Sequence, residues 1–143
     1  MLMPKKTKYR KVQKGRVRGR AKGATTLIFG DYGLEAVESG RVSARQIEAI
    51  RVTMGRKLKK VGTLFMRLFP QKPITKKPAE TRMGKGKGNP EYWVDIVKRG
   101  RILCEVSGVD RAYAKEVLNS ATYKLPIKTR VISKQDIQDK LGN

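Results

Sequence analysis

Charge is the strictest constraint on what this chain can become. Its 143 residues carry 34 Lys and Arg against 12 Asp and Glu, a formal net charge of +22. A compact body with that surplus repels itself unless a polyanion neutralises it, and nucleic acid offers the densest phosphate array. Hydrophobic residues make up 38% of the chain, enough for a modest core, so wholesale disorder does not follow. One domain is the expectation at this length: a folded body over 24–133, a basic arm over 1–23 and a polar tail over 134–143.

The charge is unevenly spread. The arm holds Lys5, Lys6, Lys8, Arg10, Lys11, Lys14, Arg16, Arg18, Arg20 and Lys22 with no acid among them. Its apolar residues show no period, so alone in water it would bury too little to offset its ordering entropy. It is either a solubilising tail or a polyanion-binding arm, and the lack of any negative charge favours the arm.

Periodicity marks out the body. Residues 25–29 are β-branched and aromatic and predict a strand, with Gly30-Asp31-Tyr32-Gly33 as the turn that follows. Ser43 and Gln46 have the spacing of a capping box. Behind them Ile47, Ile50, Met54, Leu58 and Val61 form one apolar stripe at three- and four-residue intervals. Arg45, Arg51, Arg56, Lys57, Lys59 and Lys60 fill the other faces of this helix, and Gly62 suits its C-terminal cap. Further strands are expected over 63–69, 92–97, 101–106 and 127–132, with Lys98-Arg99-Gly100 as a hairpin turn between the middle two. Asp110 caps a second helix that turns Tyr113, Val117, Leu118 and Ala121 inward. The predicted class is α+β: two helices packed on a mainly antiparallel sheet, an α/β sandwich, with a basic N-terminal extension and a long Gly-rich basic loop.

That loop, over 70–91, carries the most chemistry. Residues 70–90 hold Lys72, Lys76, Lys77, Arg82, Lys85 and Lys87 against Glu80 alone. Gly84, Gly86 and Gly88 remove side-chain bulk, so backbone amides can approach phosphates while lysines supply charge. Neither the P-loop pattern nor the dinucleotide fingerprint is met. A solvated hairpin tip is the bland alternative. Tyr9 and Tyr32, beside cations, suit stacking on RNA, whereas Trp93 is expected to pack across the hairpin and Cys104, alternating with Ile102 and Val106, to be a small core residue.

Histidine is absent, which removes the commonest general base and metal ligand. No catalytic residue, metal site or cofactor is assigned. There is no apolar run of membrane-spanning length and no signal-like start, and a single cysteine fits a reducing compartment. The cytoplasm, or an organelle interior, is the expected location. Charge alone leaves a free-standing RNA chaperone and an RNA-modifying enzyme open beside a ribosomal component. The enzyme would need a nucleophile–base pair or a cofactor pocket that the residues do not offer.

Seven stretches in unbroken order narrow this: MLMPKKTKYRK (1–11), FGDYGL (29–34), SARQIEA (43–49), FPQKP (69–73), KPAETRMGKGKG (77–88), EYWV (91–94) and KLPIKT (124–129). Together they resemble the bacterial large-subunit ribosomal protein L-sixteen family over residues 1 to about 132. The resemblance implies an α/β sandwich bound to large-subunit rRNA close to the A-site and P-site tRNAs, beside other large-subunit proteins. It implies a structural role in late subunit maturation and translation, with no membrane and no small-molecule substrate. The rRNA-binding set expected is the ten arm cations with Arg45, Arg51, Arg56, Lys57, Lys72, Lys76 and Lys77. The loop reaching toward tRNA and the peptidyl-transferase region is Arg82, Met83, Gly84, Lys85, Gly86, Lys87 and Gly88. Gly55 departs from the family, which usually has Thr before the Arg; Ile50 and Val52 replace smaller or basic residues.

Overall fold

The computed structural model describes residues 2–13, 15–76, 84 and 86–141. The assignments made to Lys14, Lys77, Arg82, Met83 and Lys85 lie outside the described residues.

Ser43 starts helix α1 (Ala44–Leu58) as its spacing requires. Its hydroxyl accepts the Gln46 N–H at 3.3 Å, and the Gln46 side chain accepts the Ser43 N–H at 2.9 Å. Ile47, Ile50, Met54 and Leu58 are buried along one stripe, while Val61 lies past the helix end and is exposed. The left-handed residue at that end is Lys60, at φ 68°, not Gly62. The N–H groups of Val61 and Gly62 both donate to the Leu58 carbonyl at 3.0 Å, which satisfies the last turn. Helix α2 (Arg111–Thr122) begins at Asp110, whose carboxylate accepts the Tyr113 N–H at 3.1 Å, and it buries Ala114, Val117, Leu118 and Ala121. The Tyr113 hydroxyl donates to the Lys57 carbonyl and ties the two helices together.

The class is α+β, with two antiparallel sheets where one was expected. Strands β1 (Tyr32–Ala36), β3 (Thr63–Met66), β6 (Ile102–Ser107) and β7 (Thr129–Ser133) form a four-stranded sheet in the order β3-β6-β1-β7. Strands β2 (Gly40–Ser43), β4 (Lys72–Lys76) and β5 (Asn89–Val97) form a second in the order β2-β5-β4. The core, including Leu34, Ile50, Met54, Cys104, Val106 and Leu118, lies between the four-stranded sheet and the two helices. Burial, and then the Glu105 charge, push the Cys104 thiol up to about 12, so it is inert packing.

The hairpin expected at Lys98-Arg99-Gly100 does not form, because β5 pairs with β2 and β4 while β6 pairs with β1 and β3. The stretches 32–43 and 89–107 instead run antiparallel and change sheets at the same level. Gly100 donates to the Ala36 carbonyl at 2.7 Å, and Ala36 to the Arg101 carbonyl at 2.9 Å, which holds the crossing. Arg101 clamps it further, donating to both oxygens of Asp95 at 2.9 Å and to the Arg67 carbonyl at 2.8 Å.

Residues 25–29 are not a strand either. The N–H groups of Ile28, Phe29 and Gly30 converge on one oxygen of Glu105, at 2.7, 3.1 and 3.2 Å. Glu105 is fully buried in mid-β6, and Arg67 Nη1 lies 3.3 Å from its other oxygen. A side chain thus satisfies donors that a strand partner would otherwise take. The strand begins later, at Tyr32, inside the stretch read as a turn. Gly33 permits it: a Cβ there would fall 2.4 Å from Leu27 Cδ2, which rests on the bare backbone.

Two further elements occupy segments read as irregular. The ladder from Lys72↔Val94 to Lys76↔Asn89 extends into both ends of the expected 70–91 loop and makes them a two-strand stem. Prolines and lysines, which suit an edge strand, hid β4. Helix α3 (Lys134–Leu141) replaces the polar tail. Ser133 and Asp136 cap it reciprocally, with N–H to side-chain oxygen distances of 2.9 and 3.2 Å. Among the described residues no helix is long and apolar enough to cross a membrane.

Candidate nucleic-acid interface

The described part of the arm lies along the body. Ala21 donates to the Arg99 carbonyl at 3.0 Å, within a parallel bridge between Arg20 and Arg99. Arg41, on β2, donates to the Gly15 carbonyl at 2.9 Å. Lys11 and Lys87 exchange bonds across the gap to the finger, meaning the 77–88 loop on its stem: Lys11 Nζ reaches the Lys87 carbonyl at 2.9 Å, and Lys87 Nζ reaches the Val12 carbonyl. Leu2, Met3, Thr7 and Arg10 complete a groove of about 450 Å³ with Pro90, Glu91, Tyr92 and Trp93. Arm and finger, read separately in the sequence, therefore meet beside the three-stranded sheet.

Of the arm cations, Lys5, Lys6, Lys8, Arg10, Arg16, Arg18, Arg20 and Lys22 are exposed, and Lys11 is half-buried where it meets the finger. Lys76 is exposed on the stem, and Lys72 is half-buried lower on the same strand. Burial first, then the charges of Arg41 and Lys87, hold the Lys72 ammonium below its ordinary lysine value. Cations are here pressed against one another, which water tolerates poorly and an anion would relieve. In the finger, Gly84 and Gly86 adopt φ 107° and 89°, a region side chains rarely enter, while Lys87 is exposed and Gly88 half-buried.

The α1 cations do not all belong with them. Arg51 is committed to Glu48 one turn earlier, which lowers the Glu48 carboxyl and raises the Arg51 guanidinium from their ordinary values. Lys57 faces Glu116 at 4.0 Å. Arg45 and Arg56 are exposed, and no ion pair among the described residues engages them. No hydrogen bond or ion pair among the described residues joins these four to the arm or the finger. Tyr9 is 63% exposed with Lys8 Nζ 5.7 Å from its ring centroid. Tyr32, expected beside it as a stacking residue, packs against the core instead. Trp93 sits opposite Pro73 on the neighbouring strand and lines the groove under the arm.

Sequence reasoning missed Arg41, Arg99 and Arg130. Arg41 lay in a stretch to which no element was assigned, and Arg99 in a supposed hairpin turn. Arg20, Arg99 and Arg130 line an open cleft of about 450 Å³ with Glu35, to which Arg130 bonds at 2.8 Å. Among the described residues, no group of His, Cys, Asp or Glu is arranged to hold a metal ion. What the arm, finger and sheet edge offer is charge, spread over a surface rather than gathered in a reaction centre.

Comparison with known proteins agrees with that chemistry. The family model described as ribosomal protein L16p/L10e matches residues 4–132. A relative from Heliobacterium modesticaldum, named large ribosomal subunit protein uL16, is 50% identical over 137 residues, covering 96% of this chain and 95% of its own.

Proposed function

The chain belongs to the ribosomal protein L16p/L10e family of the large ribosomal subunit, and from that premise we propose that it binds large-subunit rRNA near the peptidyl-transferase region through its arm and the foot of its finger, with the 77–88 loop directed at A-site and P-site tRNA. Membership makes it a structural ribosomal protein rather than an enzyme. One observation carries the rest: two acid-poor basic segments, far apart in sequence, are bonded to each other at Lys11, Val12 and Lys87. Their charges then act as one surface.

Docking is electrostatic first and steric second. Each phosphate neutralised releases counterion, so log affinity falls with log salt by about 0.7–0.9 per contact. Buried elements hold the surface in shape before RNA arrives, which lowers the ordering cost of binding. Neighbouring large-subunit proteins are further partners in this reading. Arg82 is the leading tRNA-facing residue, since a guanidinium can bridge phosphates or stack on a base where an ammonium cannot.

Large subunits reconstituted with Arg82→Ala chain test this. A-site tRNA binding is expected to fall about tenfold, one lost charge-assisted contact, while the melting temperature of the free protein stays unchanged. Equal losses of stability and of tRNA binding would assign Arg82 to the fold instead.

A further inference from the structure

We propose that Arg41, Lys72 and Lys87 form one seat for a backbone phosphate of the bound RNA, at the place where the arm crosses the three-stranded sheet. The seat rests on the rRNA reading above and gives it a specific site. Its three cations come from three elements: Arg41 from β2, Lys72 from β4 and Lys87 from the foot of the finger.

Two residues of the arm bring them together. Arg41 donates to the Gly15 carbonyl at 2.9 Å, and Lys72 Nζ lies 3.8 Å from where a Cβ on Gly15 would stand. Both side chains therefore converge on Gly15. Lys87 Nζ donates to the carbonyl of Val12, and its charge, with that of Arg41, is felt at Lys72. Beside Arg41 and Lys87 opens a cavity of about 460 Å³, which these two line with Lys76 and with Glu91 as the one carboxylate; Lys72 is not among its lining residues. That is room for a phosphate and its sugar.

The chemistry selects phosphate over a neutral ligand. Arm carbonyls already occupy hydrogen-bonding directions on Arg41 and Lys87, so these donors are aimed at oxygen. A peptide oxygen carries only partial charge, however, and the Lys72 ammonium still feels its own burial and the charges of Arg41 and Lys87. A phosphate brings a full negative charge and several oxygens that charge-assisted donors can share.

The test uses the full-length chain and a large-subunit rRNA transcript, with affinity measured across a salt series. The combined variant Arg41→Gln, Lys72→Gln, Lys87→Gln is expected to lower affinity at least tenfold and to make the slope of log affinity against log salt shallower by about 0.8, the one phosphate contact the seat provides. A control carrying Lys115→Gln and Lys124→Gln keeps the parent slope within about half a unit, less than one contact. Should the triple variant melt early, Lys72→Gln alone replaces it, with a slope shallower by about 0.8. An unchanged slope in a variant that folds, while the parent binds rRNA, overturns the seat. If the parent itself fails to bind rRNA, the rRNA reading falls, and the seat is judged on inorganic pyrophosphate. Its addition must then shift the Lys72 and Lys87 ammonium resonances; resonances that stay put overturn the seat as well.

Discussion

Gly55 occupies the exposed side of α1, with nothing within 4 Å of where its Cβ would stand. Nothing in the packing requires glycine there, so its backbone freedom is a plain cost to the helix. Gly55→Ala is expected to stabilise the fold by about 1 kcal/mol, raising the melting temperature by about 3 °C for a chain of this size. A thermal melt at or below the parent value would contradict this. Lys72 gives a pH signature. Its folded value is depressed, so folding disfavours its charged form, and protons leave the folded state before the unfolded one. Stability therefore rises with pH over the interval just below the ordinary lysine value of 10.5. Comparing chemical denaturation of the parent and Lys72→Met across that interval should find the rise smaller in the variant; equal profiles would refute the assignment. At this scale the sequence was legible wherever partners are close along the chain. The Ser43–Gln46 box and the Asp110 cap are set by three-residue spacings. Glu105 was not legible, because the amides it gathers lie 75 to 77 residues away.

Elements show the same division. Both main helices follow from their apolar stripes, since helical periodicity is a local property. Strand partners were harder to read. Residues 92–97 and 101–106 look like a hairpin because a short Gly-containing turn separates them, yet each finds a better partner in the stretch 32–43. The clamp of Arg101 on Asp95 stands at the crossing, largely withdrawn from water, with side-chain exposures of 20% and 11%. Arg101→Ala leaves that carboxylate without its counter-charge, with only the Phe69 N–H still donating to it at 3.0 Å, and the Arg67 carbonyl without the Arg101 donor, and is expected to cost about 3 kcal/mol. Arg101→Lys should recover less than half of the loss, since an ammonium cannot make the paired bonds. Urea unfolding measures both; a loss under about 1 kcal/mol, the size of an exposed pair, would show the crossing is held by backbone alone. The edge strand β4 was disguised by Pro73 and its lysines, and α3 by a capping box that uses Asp136 in place of the usual Glu or Gln.

For the molecule as a whole, composition announced a polyanion partner and located two basic segments, but not their meeting. That depends on Arg41, Lys87 and Arg99 reaching arm carbonyls and amides across the sheet, pairings no periodicity encodes. It also divides the cations by role. Arg51, Lys57 and Arg130 face carboxylates within the chain, whereas most of the described arm cations, with Lys76 and Lys87, are exposed. The central claim is that this joined surface, rather than diffuse charge, holds the protein on the subunit. Hydroxyl-radical footprinting of large-subunit rRNA, on subunits assembled with and without the chain, tests it most directly. Compact protected segments near the peptidyl-transferase region, lost without the chain and weakened by the Arg41, Lys72 and Lys87 substitutions, are the expected result. Identical cleavage with and without the chain would contradict the account.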